Sequence, residues 1–254
     1  MTKTISALSV LVLLLASIAA AADQTTAGQA KARAILEQSI KAHGGEAVLG
    51  KYVAAYCKVA ANDLSDDKKI PHGFEMYIQG DDKIRLSTFE GKQTRPKTIE
   101  VINGREGWLK EGDLPPVDIG DQVESERETI YINWATMLVP LRKQGFRLST
   151  VKDITVAGRK AEGILIAHDK HRPLKFYFDK ETHLLVKCER TLKKSESENE
   201  GTEETVWSDF QEIQGTRQAM KASILWDGVE VSEATTTELK FYEKPLNEKL
   251  FAKP

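Results

Sequence analysis

The chain has 254 residues, and its 36 Lys and Arg nearly balance 38 Asp and Glu, giving a formal charge of −2 at pH 7. Without a basic excess or a cluster of basic and aromatic residues, a nucleic-acid partner is not expected. The two cysteines, Cys57 and Cys188, are too few for a disulfide framework. Each lies in an apolar, strand-like stretch, so the sequence leaves a disulfide and two free thiols equally open.

The start of the chain has the pattern of a secretory signal peptide. Lys3 precedes an apolar run, residues 8–22, that ends in small residues. The run is shorter than the about 20 apolar residues that a membrane span needs, which disfavours an uncleaved anchor. We therefore expect a signal peptide of residues 1–22, export to the periplasm or the medium, and a single mature domain of residues 23–254.

The mature chain is predicted to begin with a helix. Apolar residues recur every three or four positions between residues 29 and 43, and Gly44 follows as the expected stop signal. His43 would close this helix at its C-terminus, where a positive charge on the ring is favourable. This pattern favours a structural role for His43 over a catalytic one.

Beyond Gly50 the period of the apolar residues changes from about 3.6 to 2, which is typical of strands. Turn signals between the alternating stretches predict hairpins, so the sheet should be antiparallel, with about ten to twelve strands and one buried face. The charged stretch of residues 193–204 is expected to be a solvated loop. Asn103-Gly104 is a strong short hairpin signal, and further strand pairs are expected to turn at Ala157-Gly158 and Asp227-Gly228.

A second helix is predicted within residues 125–145, where the strand pattern is interrupted. Ser125 and Glu128 have the spacing of a capping box. Apolar and aromatic residues then recur every three or four positions, which predicts an amphipathic helix. Pro140 should kink or end its regular part, because proline lacks a backbone N–H. Since the apolar stripe needs a partner, the helix should lie across one face of the sheet.

Three of the five histidines lie close together in the sequence, at His168, His171 and His183. The residues between them predict a hairpin that turns at residues 179–182. His168 and His171 would then lie at one end of a strand and His183 at the other, roughly 20 Å away. A metal ion holds its ligands at about 2 Å, so the three rings cannot share one ion. No catalytic motif is recognised, although a site assembled from distant residues stays open as an alternative.

Several stretches occur in the same order as in LolA-like proteins, the bacterial outer-membrane lipoprotein-sorting and carrier family: "KAHGGEAVLGKY", "INGREGWL", "FYFDKETHLLVKCER", "WSDFQEIQGTRQAMKASILWDG" and "LFAKP". The resemblance implies a mainly β (α+β) fold, a strongly curved, incomplete antiparallel barrel. The N-terminal helix and the central amphipathic helix would cover its concave face. His183 stands where relatives commonly have glycine, so a positive φ is expected there.

The resemblance implies that an apolar cavity between sheet and helices binds lipid or lipoprotein acyl chains without catalysis. The expected partners are a lipid or acylated lipoprotein and a membrane-associated donor or acceptor protein, with the chain a monomer that needs no cofactor and no metal. An exported scaffold with a solid core is the alternative, because apolar stripes fill cores at least as often. The residues predicted to contact lipid are Phe74, Met76, Ile78, Ile130, Trp134, Met137, Leu138, Phe176, Phe178 and Trp226.

Overall fold

The computed structural model describes residues 27–64, 69–91, 93–193 and 200–254. The expected signal peptide, residues 1–22, lies outside these ranges. The helices are α1 (residues 27–42), α2 (Glu46–Leu49) and α3 (Val123–Ala135). The strands are β1 (Ala54–Asp63), β2 (Ile70–Gln79), β3 (Lys83–Glu90), β4 (Thr98–Asn103), β5 (Glu106–Glu111), β6 (Val117–Asp118), β7 (Arg147–Val156), β8 (Arg159–His168), β9 (His171–Asp179), β10 (Leu185–Lys193), β11 (Glu200–Ile213), β12 (Thr216–Trp226) and β13 (Val229–Tyr242).

The strands form one 13-stranded antiparallel sheet in the order β6-β5-β4-β3-β2-β1-β13-β12-β11-β10-β9-β8-β7. Neighbours in the sheet are also neighbours in the sequence, except where β1 pairs with β13. The described strands β6 and β7 each have one partner, so the sheet is not closed. The expected incomplete antiparallel barrel is confirmed. Its strand number slightly exceeds the prediction, and one of the strands, β6, has only two residues.

The predicted hairpin turns are present because their residues adopt the positive φ that tight turns need. Gly104 has φ 64°, and the pair Asp227 and Gly228 has φ 49° and 83°. His183, at φ 58°, has the left-handed conformation expected of it, and its N–H donates to the Asp179 carbonyl at 2.8 Å. The Asp179 carboxylate also accepts from backbone N–H groups of the same turn, which fixes the chain there.

The central helix differs from the prediction at both ends. It begins at Val123, two residues before Ser125, and its N-cap residue Gln122 makes no side-chain capping bond. The capping box of Ser125 and Glu128 was therefore wrong. The Glu128 carboxylate bonds instead to the His171 ring on β9. The regular helix ends at Ala135, and a short 3-10 helix, Val139–Arg142, follows, with Pro140 in its first turn as expected of a proline.

Three groups of buried apolar side chains hold the fold together. The largest lies where α1 and α3 pack on β7–β10. A second lies between the N-terminal half of α3 and strands β3 and β4, so α3 is apolar on two sides. The third is on the opposite face of the sheet, around Tyr177 on β9. The expectation of only one buried face was wrong here, because Gly163 has no side chain and the Tyr177 ring fills that space.

Both thiols are free, which settles the choice that the sequence left open. Cys57 lies on β1 and Cys188 on β10, and three strands separate these two in the sheet. Burial raises the pKa of each thiol to about 12, so both stay protonated at neutral pH. The charged stretch 193–204 is not wholly a loop, since β11 already begins at Glu200. Residues 194–199 lie outside the described chain. None of the helices described has the length and hydropathy needed to cross a membrane.

Candidate functional site

A cleft of about 450 Å³ opens between the C-terminal end of α3, the turn that follows it, and strands β1, β2, β12 and β13. We call it the α3 cleft. Its volume lies in the range of about 300–1,000 Å³ that is usual for small-molecule sites. The apolar side chains that line it include Leu49, Val53, Met76, Ile78, Trp134, Met137, Leu239 and Phe241.

The floor of the α3 cleft owes its shape to small residues on β1. Ala55 and Cys57 line the cleft at the centre of this part of the sheet. Their partners on both neighbouring strands are large. A strand of small side chains between two strands of large ones leaves a shallow channel that runs along β1. The large partners are Ile78 and Met76 on β2 and Phe241 and Leu239 on β13.

The turn after α3 forms the roof. Leu138 has φ 63° and is fully buried in the largest core group, which anchors the turn. Its neighbour Met137 is half-buried and lines the cleft, as does Trp134 one turn earlier. Leu138, together with Ala135 and Leu141, holds the roof in the core, while the half-buried Met137 and Trp134 side chains line the cleft.

Most polar groups in the cleft are bound to their own chain. The Asn133 side chain donates to the Thr129 carbonyl at 2.8 Å, and the Thr136 hydroxyl donates to the Asn133 carbonyl at 2.7 Å. Gln218 donates to the Thr216 hydroxyl at 3.2 Å. These bonds leave the apolar side chains as the main surface offered to a ligand.

The structure brings four of the ten residues predicted to contact lipid into the α3 cleft: Met76, Ile78, Trp134 and Met137. Four others are fully buried in packed groups and offer no surface to a ligand: Ile130, Leu138, Phe176 and Phe178. Phe74 and Trp226 are partly buried but lie outside the cleft lining, and the Trp226 ring covers Gly201. Lipid contact itself stays a prediction for all ten.

The packing of α3 and β9 explains why some of the predicted residues line the cleft while others are buried. Phe176 and Phe178 share a face of β9, and α1 and α3 pack directly on that face. Ile130 is on the side of α3 that meets β3 and β4. The cleft forms at the C-terminal end of α3, where Trp134 and Met137 face strands β1, β2, β12 and β13. Sequence periodicity identifies the apolar face but not which part of it is covered.

Sequence reasoning missed the lining residues on β13 and the small residues on β1. Leu239 and Phe241 face Cys57 and Ala55 through a pairing between the first and the last strand. No local pattern reports such a pairing. The signal that was present is the run of small residues in β1, since Ala and Cys at successive inward positions leave room rather than fill it.

An acidic pair lies near the N-terminal part of α3, between Glu126 on the helix and Glu100 on β4. The two carboxyl groups are close enough to share a hydrogen bond when one of them holds a proton. Burial and the neighbouring Glu126 carboxylate raise the pKa of Glu100 to about 7, and burial raises the pKa of Glu126 as well. Arg190 is close enough to oppose this rise at Glu126, but its Nε donates to Glu203 at 2.7 Å.

Glu100→Gln is expected to stabilise the protein at about pH 8 by about 1 kcal/mol, a value reduced for partial solvent screening. The folded protein favours protonated Glu100, so this group stabilises the fold below the unfolded pKa of about 4.5. That stability is lost as the pH rises through the folded pKa of about 7. Glutamine keeps the hydrogen bond without the charge. Urea unfolding at about pH 5 and 8 measures the effect, with exposed Glu106→Gln as the control. An equal effect at both pH values would contradict it.

The histidines lie where the hairpin prediction placed them. His168 and His171 pair across the β8–β9 turn with ring centroids 5.4 Å apart, and His183 lies beyond the other end of β9. The His171 ring stacks on Tyr131 at 3.9 Å and bonds to Glu128 at 3.0 Å, which ties α3 to the sheet. Among the described residues, no three His, Cys, Asp or Glu side chains are grouped so as to hold a metal ion.

His43 has a structural position at the end of α1. Its Nδ1–H donates to the Arg217 carbonyl at 2.7 Å, and its Nε2 accepts from the Leu185 N–H at 3.0 Å. Because Nε2 accepts, the ring is neutral, and burial lowers the pKa of His43 to about 4. The expected positive charge at this helix end was wrong, since a buried ring bonded in this way loses more by ionising than the helix terminus returns.

No protein-family model matches the chain, and no curated protein sequence matches it. Solved structures do. A LolA superfamily protein from Nitrosomonas europaea matches with a TM-score of 0.56 at 12% identity, over 87% of this chain and 97% of that one. An outer membrane lipoprotein-sorting protein domain from Vibrio parahaemolyticus, so described, matches with a TM-score of 0.58 at 11% identity, over 88% and 97%.

A DUF1329 family protein from Desulfovibrio piger also matches, with a TM-score of 0.58 at 11% identity, over 87% of this chain and 97% of that one. At such low identities the likeness concerns the fold alone. The chain has the LolA-like fold that its sequence resemblance implied, so this expectation is confirmed.

Proposed function

We propose that the protein is an exported, non-enzymatic carrier that holds the acyl chain of a lipid or of an acylated lipoprotein in the α3 cleft. The observation that carries the proposal is the channel along β1, which is apolar on its floor and both sides. Met76 and Ile78 on β2, with Trp134 and Met137 on the roof, are the proposed contacts. The LolA-like fold supports the same function.

The carrier role also requires a source and a destination for the ligand. Met137 and Trp134 are half-buried at the cleft, and the buried residues Ala135, Leu138 and Leu141 anchor this segment in the core group. We propose that a membrane-associated donor or acceptor protein contacts the chain at this roof. The proposed place of action is the periplasm, to which the signal-peptide pattern at the start of the sequence would direct it.

Native mass spectrometry after gentle purification tests the proposal directly. Protein expressed with its own first residues and released by osmotic shock should carry a mass increment that organic solvent removes and that lipid analysis identifies. After delipidation, the uncharged apolar probe N-phenylnaphthylamine should bind with increased fluorescence and be displaced by lipid. A protein that carries no lipid and binds no probe would instead be a scaffold with a solid core.

Met137→Glu is expected to weaken binding of N-phenylnaphthylamine at least about tenfold, or about 1.4 kcal/mol, because an unpaired charge in an apolar site costs more than the about 1–3 kcal/mol of an unpaired neutral polar group. The fold should persist, since Met137 is only half-buried. Fluorescence titration measures binding, and circular dichroism monitors the fold.

Gln144→Glu provides the matched control, because it adds the same charge at an exposed position a short distance along the chain. It should leave probe binding unchanged. If Met137→Glu unfolds the protein while the wild type binds no probe, the segment is part of a solid core and the carrier function is wrong.

A further inference from the structure

Lys143 is the one charged residue among the described residues that line the α3 cleft. It lies just after the roof and is exposed, with Nζ 5.1 Å from the centre of the Trp134 ring. A cation over an aromatic ring is held by the ring's negative face. The ring lines the cleft, so the ammonium is held at the boundary between the apolar wall and the solvent.

Within the described chain, no carboxylate forms a salt bridge with Lys143. Arg142, the preceding residue, binds Glu37 at 3.0 Å and Glu46 at 2.6 Å. Lys51 differs from Lys143 in this respect. Its ammonium also lies over an aromatic ring of the cleft, that of Tyr52, but it forms a salt bridge with Glu243 at 3.0 Å. Among the described residues, Lys143 therefore has the Trp134 ring as its partner and no carboxylate within salt-bridge distance.

The arrangement matches one chemical class of ligand. An apolar channel takes an acyl chain, and a single cation at its exposed margin takes an anionic oxygen group at the end of that chain. The volume of about 450 Å³ is in the lower half of the usual range for ligand sites, which favours one chain over several.

We propose that the α3 cleft selects single-chain amphiphiles with an anionic oxygen headgroup, a carboxylate or a phosphate, and that Lys143 recognises this headgroup. The inference rests on the proposed function, since it assigns the headgroup of the lipid that the cleft would hold. Lys143 acts as a specificity-determining residue. The Trp134 ring positions its ammonium, and the apolar channel supplies the affinity that all such ligands share.

Isothermal titration of the delipidated full chain with laurate, dodecyl phosphate and monolaurin tests the inference. The three ligands carry the same acyl or alkyl length but differ in the head, which is a carboxylate, a phosphate or a neutral glycerol ester. At low ionic strength, the wild type should bind laurate or dodecyl phosphate about tenfold more tightly than monolaurin, as a charge-assisted hydrogen bond permits. The preference should shrink in high salt, because exposed charges are screened.

Lys143→Met should abolish this preference and leave monolaurin affinity unchanged, whereas Lys143→Arg should retain it. Lys152→Met removes the same charge from an exposed position on β7 and should behave as the wild type. The order of laurate and dodecyl phosphate tells which anionic head fits better, and either order supports the inference.

The two proposals fail in different ways. If the wild type binds monolaurin as tightly as laurate and dodecyl phosphate, or if Lys143→Met keeps the full preference, the role of Lys143 is wrong while acyl-chain binding stands. If the wild type binds none of the three ligands, the carrier function is wrong and the headgroup inference falls with it.

Discussion

Replacing His43 with alanine is expected to lower the free energy of unfolding by about 2–4 kcal/mol near neutral pH, because two buried hydrogen bonds lose their partner. The ring joins the end of α1 to the Arg217 carbonyl on β12 and to the Leu185 N–H on β10. Alanine has no side-chain donor or acceptor, so it cannot replace either of these hydrogen bonds. Urea unfolding followed by circular dichroism measures the loss.

The same variant should also change the pH dependence of stability. The pKa of His43 is about 4 in the folded protein against about 6.5 in the unfolded chain, so folding favours the neutral ring. Its contribution is fully present above about pH 6.5 and is lost as the pH falls toward 4. The difference between wild type and His43→Ala should therefore shrink in acid.

His72→Ala provides a control for the loss of stability, since the His72 ring makes only a 3.5 Å contact with the Ile70 carbonyl. It should cost little stability. If His43→Ala were no more damaging than His72→Ala, the bonds to Arg217 and Leu185 would not stabilise the fold as described.

The second large expected effect is a difference in stability between variants of two neighbouring residues, Met137 and Leu138, both of which the sequence predicted to contact lipid. Leu138→Ala should cost about 3–5 kcal/mol, as deletion of a fully buried leucine does, whereas Met137→Ala should cost less than about 1 kcal/mol. Leu138 has φ 63°, and alanine tolerates this conformation no worse than leucine, so the difference reports packing. Denaturant unfolding of both variants measures it.

Binding should show the opposite order. Met137→Ala removes a side chain from the cleft lining and should weaken N-phenylnaphthylamine binding, while the folded fraction of Leu138→Ala should bind the probe with little change. Equal stability losses for the two variants would mean that Met137 is part of the packed core. The distinction drawn between core and cleft would then be wrong.

The sequence predicted what depends on short stretches of chain. The hairpins at Gly104, Gly158 and Gly228 follow from turn residues that accept positive φ, and the end of α1 follows from Gly44. The start of α3 was mispredicted because Ser125 and Glu128 have capping spacing, yet Glu128 binds His171 across the sheet. A tertiary contact here overrides a local signal.

The candidate site was predicted only in part for a related reason. Trp134 and Met137 belong to an apolar helical stripe that the sequence shows, but Leu138 belongs to it too, and only the packing of the turn separates them. The β13 side of the cleft depends on the pairing of Ala55 with Phe241, which no periodicity records. A periodic pattern in the sequence predicts local elements, and it does not predict which strands pair when they are this far apart along the chain.

That pairing has a further consequence for how the protein acquires its shape. Strands β1–β6 and β7–β13 are two meanders built from contacts between sequence neighbours, and within the described sheet they pair with each other only where β1 joins β13, with Ala54 opposite Tyr242. Local hairpins form before remote strands, because bringing distant segments together carries a large loop-closure entropy. The junction should thus be the slow, late event in folding, and the α3 cleft lies across it. A ligand bound in the cleft would contact both meanders and stabilise the pairing of β1 with β13. Without a ligand, we expect these two strands to separate first under force or in denaturant.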